Sequence, residues 1–161
     1  MGLDAFILAL WAVQALIVLA IAARTAVGRR WFAAAGLVLG LAVGLSPQIV
    51  GQNVASHRGT VIFGISIILV LLSAIVLIIA YGVGRRWVAL VLTIAIFGIP
   101  VPYILLANRW FPPSSTPAIL QPLELLGEFD FFLAPIACAL AGQEILAWVG
   151  RLVTNSKERM A

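Results

Sequence analysis

The feature that most constrains this chain's fold is an apolar run at residues 60–81. Ser66 and Ser73 are the only polar side chains inside it. An α-helix needs about 20 apolar residues to cross the ~30 Å hydrocarbon core of a bilayer. Four further stretches approach this length and composition, at residues 3–23, 31–50, 87–107 and 129–149. The sequence therefore predicts an all-α, polytopic transmembrane helical bundle of about five spans, with residues 1–161 forming a single integral membrane domain.

The composition favours the same fold class. The chain is 63% hydrophobic and 10% charged, whereas soluble domains are about half apolar and about a quarter charged. A soluble core of this size would leave much of that apolar surface in water. The net charge of +4 would suggest nucleic acid as the partner of a soluble protein, but in a membrane protein the basic residues first report topology. We therefore expect a lipid bilayer, and no nucleic acid, as the partner.

The basic residues predict the orientation in the membrane. The pentapeptide VGRRW occurs at Val27–Trp31 and again at Val83–Trp87. If both copies are cytoplasmic, Arg58 and Arg109 are the only basic residues outside. Eight then lie inside: Arg24, Arg29, Arg30, Arg85, Arg86, Arg151, Lys157 and Arg159. Since Lys and Arg collect on cytoplasmic loops, the N-terminus is predicted outside and the C-terminus inside.

The amino-terminal segment and the residue usage predict where the protein resides. The N-terminus has no basic stretch and no cleavage site of a signal peptide, so the first apolar stretch is expected to be retained as a span. The composition is rich in Ala, Gly, Val and Arg and poor in Lys, which suggests a bacterial plasma (inner) membrane.

The repeated pentapeptide is interpreted as a shared loop sequence rather than a duplicated site. The two copies are 56 positions apart, yet the aligned flanks agree only at Leu16/Leu72 and Ala33/Ala89. A true repeat is similar over its whole unit. Gly suits a tight turn, Arg suits the inner leaflet and Trp suits the interface, so convergence on this sequence is expected.

Two segments are predicted to lie outside, at residues 51–59 and 108–128. The second holds four of the eight prolines. Within it, apolar residues alternate with Gln121, Glu124 and Glu128, and two interpretations stay open for residues 117–127. They form either a short interfacial helix on the outer leaflet or a proline-stiffened connection.

Small residues in the second stretch predict close helix packing. Gly36, Gly40 and Gly44 recur every four residues on one helix face, and such spacing lets helix backbones approach closely in lipid. This glycine zipper would serve packing within the chain, a homo-oligomer or docking to another subunit. Gln14 is the amide nearest the middle of its span and is expected to form interhelical hydrogen bonds. Candidate partners for the glycines are Ala5, Ala9, Ala12, Ala134, Ala137, Ala141 and Gly142.

Glu144 is the sharpest candidate for a functional charge. It precedes Arg151 by seven residues, hence by about 10 Å along a helix, which places it inside the fifth stretch. A carboxylate at that depth needs a partner or water, and the expected partners are Arg29, Arg30, Arg85 and Arg86. It would serve either a proton or cation relay or an ion pair that anchors the bundle.

Motifs for catalysis are absent from the sequence, and no catalytic, cofactor or metal site is predicted. His57, the sole histidine, lies in an outer loop. Pro100 and Pro102 are expected to kink the fourth stretch. These observations favour a non-catalytic subunit of a larger membrane complex, foremost a transporter or energy-converting assembly.

Two alternatives from other classes stay open. The first is a homo-oligomeric channel or carrier that uses Glu144 and the kinked fourth span. The second is a membrane enzyme that acts on lipid at the cytoplasmic face, with the four turn arginines binding phosphate headgroups.

Overall fold

The described part of the chain is all-helical. A computed structural model describes residues 3–51, 58–100, 102–103, 106, 121–122 and 132–160. Five helices lie in these ranges, and no strand occurs there. We number them α1 (Leu3–Val27), α2 (Trp31–Gly51), α3 (Arg58–Val83), α4 (Trp87–Thr93, continued by a π-helical segment at Ile94–Gly98) and α5 (Ala134–Met160). The predicted helical-bundle class is confirmed.

Three helices are long and apolar enough to cross a membrane. The qualifying windows are Leu8–Val27, Gly64–Val83 and Ala134–Ser156. The apolar helices Trp31–Pro47 and Trp87–Gly98 are shorter. The second and fourth of the five predicted spans therefore rest on the sequence pattern and stay predictions.

Helix α5 extends further than the sequence suggested. The fifth stretch was predicted to end at residue 149, but the helix continues to Met160 and includes Arg151. After Gly150 the chain has no Gly or Pro, the residues that usually end a helix. The Thr154 hydroxyl donates a hydrogen bond to the Gly150 carbonyl at 3.0 Å, so its polar group is satisfied within the helix.

The chain divides into two compact units. The first comprises residues 1–49 and 135–161, and the second comprises residues 50–134. In the first unit, α1, α2 and α5 share one apolar core. Its members are Val18, Ala22, Leu37, Leu41 and Ala139. The small side chains in this core allow the three helix axes to lie close together. The prediction of a single domain stays a prediction.

In the second unit, α3 packs along one face. Ser66, Val70, Ser73 and Leu77 are all buried, at the i, i+4, i+7 and i+11 spacing of one helical stripe. The only two polar side chains inside the predicted run therefore face protein rather than lipid.

The second wall of this unit comes from α4 and its π-helical continuation. Thr93, Phe97 and Pro100 are buried there. The Thr93 hydroxyl donates to the Ala89 carbonyl at 2.8 Å, which satisfies it inside the helix.

The π-helical segment lies just before the first proline of the fourth stretch. The Ile99 amide donates to the Ile94 carbonyl at 2.9 Å, a bond to the fifth preceding residue. A helix that approaches a proline cannot keep regular α hydrogen bonding, because the ring removes a donor and clashes with the preceding turn. Widening one turn into a π form is a common local response. The sequence predicted a disturbance from Pro100 and Pro102 but not its form.

Candidate functional site

The two VGRRW turns have the same backbone conformation. In the first, the Arg29 amide donates to the Ala26 carbonyl and the Arg30 amide donates to the Thr25 carbonyl, at 2.9 and 3.2 Å. In the second, the Arg85 amide donates to Gly82 at 3.2 Å and the Arg86 amide donates to Tyr81 at 2.9 Å. Such paired bonds over three and five residues define the Schellman helix ending. The shared sequence therefore encodes one turn used twice.

The left-handed residue of each turn is an arginine. Arg29 has φ of 60° and Arg85 has φ of 53°, and no described glycine has a positive φ. The sequence interpretation gave the turn to the glycines, but Gly28 and Gly84 stand one residue before the left-handed position. A Schellman ending usually places glycine there, since other L-residues are strained in that conformation. The arginine side chain is thus kept at a position where glycine would be easier to accommodate.

The two turns also present the same side chains outward. Trp31 is 67% exposed and Trp87 is 64% exposed. The four turn arginines are exposed as well. Each turn therefore exposes a pair of guanidinium groups beside an indole. This combination is typical of a protein surface at the boundary between lipid headgroups and hydrocarbon.

Two of the three zipper glycines contact α5. A Cβ built on Gly36 would overlap the Gly142 carbonyl and lie 2.8 Å from the Cα of Gln143. A Cβ built on Gly40 would overlap the Cys138 carbonyl and lie 2.7 Å from the Cα of Ala139. The overlapped atoms are backbone atoms, which cannot move aside. The glycines thus bring α2 within backbone contact of a helix of the same chain.

The contact follows an antiparallel register. Gly150 lies against the Phe32 ring, and a Cβ at Gly150 would lie 2.9 Å from that ring. Moving along α2 from Phe32 through Gly36 to Gly40 therefore corresponds to moving back along α5 from Gly150 to Cys138. Gly44 and Gln14, the other predicted packing residues, are also buried. Of the small residues considered as partners in sequence, Gly142 lies in this contact.

The predicted charge site is distributed over both units. Glu144 is half-buried on α5, two residues after Gly142. Arg29 and Arg30 lie in the first unit, whereas Arg85 and Arg86 lie in the second. Pairing of Glu144 with one of these arginines stays a prediction.

The described residues also bear on metal binding and on buried polar groups. They hold no group of three or more His, Cys, Asp or Glu side chains placed to bind a metal ion. Cys138 is buried and is not part of a disulfide. The Tyr103 hydroxyl, after the π-helical segment, is buried without a hydrogen-bond partner in this part of the chain. His57 lies outside the described residues. Of residues 117–127, only Gln121 and Pro122 are described, and both are helical and exposed.

A groove that the sequence interpretation missed runs between α1 and α2. Its volume is about 570 Å³ and its walls are apolar. The groove is open because the small side chains of alanine line both of its sides. It begins at Ala26 and Trp31, which flank the first arginine turn. The alanines are Ala22, Ala23, Ala26, Ala34 and Ala35. Their clustering next to the turn was the available sequence signal, but single alanines are too common in membrane helices to stand out.

Comparison with known proteins adds no family: no protein-family model, curated protein or solved structure matches this chain.

Proposed function

We propose that the protein is a non-catalytic subunit of a larger membrane complex, foremost a transporter or energy-converting assembly. In this proposal it lies in the inner membrane of a bacterium. It crosses that membrane five times, with the N-terminus outside and the C-terminus in the cytoplasm.

The observation that carries the proposal is how little of its apolar helices the chain itself covers. The spanning window of α1 is 17% buried, that of α5 is 28% buried and that of α3 is 33% buried. Side chains such as Leu16 and Ile68 are more than half exposed. Exposed apolar surface of this extent needs lipid or other helices against it. A small scaffold with large free faces fits a role in which partner subunits cover part of them.

The packing inside the first unit supports a scaffold role. Gly36 and Gly40 are occupied by α5, so this glycine face serves the chain's own fold. Docking to partner subunits would then use the remaining surface, which includes the spanning window of α1, less buried than those of α3 and α5.

The arginine turns support the proposed orientation. Each ends a helical hairpin, and each exposes two arginines and a tryptophan. Basic residues favour the cytoplasmic side and tryptophan favours the interface. Placing both turns in the cytoplasm satisfies both preferences at once.

Purification in a gentle detergent, followed by mass spectrometry of the intact assembly, tests the subunit proposal. We expect partner chains at fixed stoichiometry with this protein. A monomer that carries an activity by itself would contradict the proposal.

A homo-oligomeric channel or carrier is the alternative that specific observations favour. Glu144 is half-buried within a candidate span. In the second unit, a π-helical segment precedes Tyr103, whose hydroxyl is buried, and π segments are frequent at functional sites. Under this alternative, Glu144→Gln abolishes flux through reconstituted vesicles while the protein remains folded. Unchanged flux, or loss of the fold, would favour a structural role for Glu144.

A further inference from the structure

We propose that the groove between α1 and α2 binds an acyl chain of an anionic phospholipid, whose phosphate headgroup is held by Arg29 and Arg30. This inference is independent of the proposed subunit role. It requires only that the first helical hairpin lies in a bilayer.

The groove has the shape for a lipid chain. From Ala26 to Leu19 on α1, and from Trp31 to Leu39 on α2, it is about 10–12 Å long at about 1.5 Å per residue. The next outward-facing residues, Leu16 and Val43, are 67% and 48% exposed and project beyond its end. A transmembrane helix of a partner is about 30 Å long, more than twice the length of the groove. A flexible hydrocarbon chain fits a short groove better than such a helix does.

The end of the groove supplies the charge for a headgroup. Its last wall residues, Ala26 and Trp31, directly flank the turn that carries Arg29 and Arg30. Arg29 and Arg30 are both exposed. The sequence has no Asp or Glu between positions 5 and 123, so neither α1 beyond Asp4 nor α2 supplies a counter-charge. Planar guanidinium groups bind phosphate oxygens well, and tryptophan, here Trp31, is enriched at the level of the headgroups.

The second hairpin provides a natural comparison within the same chain. Its turn has the same five residues and the same backbone hydrogen bonds. At four of the five positions aligned with the groove alanines, however, it carries large side chains, whereas Ala26 corresponds to Gly82. Ala22, Ala23, Ala34 and Ala35 correspond to Ile78, Ile79, Leu90 and Val91. Of the two hairpins, the first therefore combines an exposed arginine pair with an alanine-lined groove.

The test is retention of lipid by the purified full-length protein in nanodiscs that contain equal parts of phosphatidylglycerol and phosphatidylcholine. Native mass spectrometry counts the lipids that stay bound after release from the nanodisc. We expect the wild-type chain to keep one phosphatidylglycerol in preference to phosphatidylcholine. Equal retention of the two lipids would overturn the proposal.

Filling the groove should release this lipid. Ala23 and Ala35 are exposed, so Ala23→Ile with Ala35→Val imitates the second hairpin without disturbing the core. The matched control is Ala20→Ile with Ala42→Val, at exposed alanines outside the groove. We expect loss of the lipid only in the groove variant, with both variants showing wild-type helicity and melting. A filled groove that still retains the lipid would overturn the proposal.

Removing the charges should have an equally selective effect. Arg29→Gln with Arg30→Gln should weaken retention by about fivefold per arginine, the equivalent of about 1 kcal/mol each. Arg85→Gln with Arg86→Gln should leave it unchanged. An equal loss in both pairs would reduce the effect to general surface charge and overturn the site.

Photocrosslinking at position 35 to another protein chain, rather than to lipid, would overturn the choice of occupant. Partner chains and lipids give separate masses, so failure here is distinguishable from failure of the subunit proposal.

Discussion

Arg29 and Arg85 have positive φ angles, which are strained for an L-residue. This strain has a measurable consequence. A left-handed conformation costs an L-residue roughly 1–2 kcal/mol, whereas glycine adopts it readily. Arg29→Gly should therefore raise the free energy of unfolding in detergent by up to about 1 kcal/mol, and the melting temperature with it. Arg30→Gly is the matched control: Arg30 has no positive φ, so glycine there brings only added flexibility. A control variant more stable than Arg29→Gly would contradict this account of the turn.

Gly40 has the tightest backbone contact with α5, and a single methyl group should disturb it. Gly40→Ala places its Cβ on the Cys138 carbonyl, so α2 and α5 must separate, at a cost of about 1–3 kcal/mol. Gly64 on α3 is the control, because a Cβ there meets no atom within 4 Å. Gly64→Ala should leave stability unchanged or slightly higher. The two melting temperatures in the same detergent decide the comparison, and equal values would argue against the glycine contact.

Helices α2 and α5 make two kinds of close contact, one with backbone atoms and one with a side chain. At Gly150 the nearest atoms belong to the Phe32 side chain, whereas at Gly40 they belong to the backbone. Shortening Phe32 to Ala removes the two nearest ring atoms but keeps the Cβ at 3.1 Å, so it should relieve part of the cost of Gly150→Ala. Cys138→Ala should not relieve Gly40→Ala, because the obstructing carbonyl remains. A double-mutant cycle measures each coupling energy, which we expect at about 0.5–3 kcal/mol for the first pair and near zero for the second. Similar couplings for both pairs would contradict the register.

The elements themselves were largely predictable, because apolar length is a direct physical requirement of membrane insertion. The runs at residues 3–23 and 60–81 became α1 and α3 with a few residues added at their ends. The extension of α5 through Arg151 to Met160 was missed, since charged residues were taken to mark the end of a span. Charge ends a span at the lipid boundary but does not end a helix. The π-helical segment at Ile94–Gly98 depends on how α4 meets Pro100, which residue types alone do not specify.

The candidate site was predictable only in part, because it depends on which helices pack together. The spacing of Gly36 and Gly40 indicated that some helix would come close, and the small residues near Gly142 were among the candidates. The identity of the partner helix depends on tertiary packing. The groove was invisible in sequence because it depends on two helices leaving space between their alanines. The sequence interpretation assigned the turn conformation to Gly28, but Arg29 adopts it. Turn propensities identify the residue type that is most common at such a position, which is not the type present here.

At the scale of the whole molecule, the charge distribution makes a prediction about orientation. A fluorescent protein fused to the C-terminus should be active, because the tail is expected in the cytoplasm, where such reporters fold. An alkaline phosphatase fusion at the same position should be inactive. Replacing all four turn arginines with glutamine should yield a mixed population, since the bias of basic residues toward one side is then largely lost. An active phosphatase fusion on the wild-type chain would contradict the predicted orientation.

The first unit is assembled from two segments that are separated by residues 50–134, and this imposes an order on its biogenesis. Residues 50–134 are synthesised between α2 and α5, so the partner of Gly36 and Gly40 follows α2 only after that segment is made. At about 5–20 residues per second, Gly36 and Gly40 lack their contact with α5 for on the order of 5–20 s after α2 has entered the bilayer. A nascent chain at this stage is a substrate for insertases and membrane proteases. Quality control of this protein should therefore depend on how soon α5 is delivered.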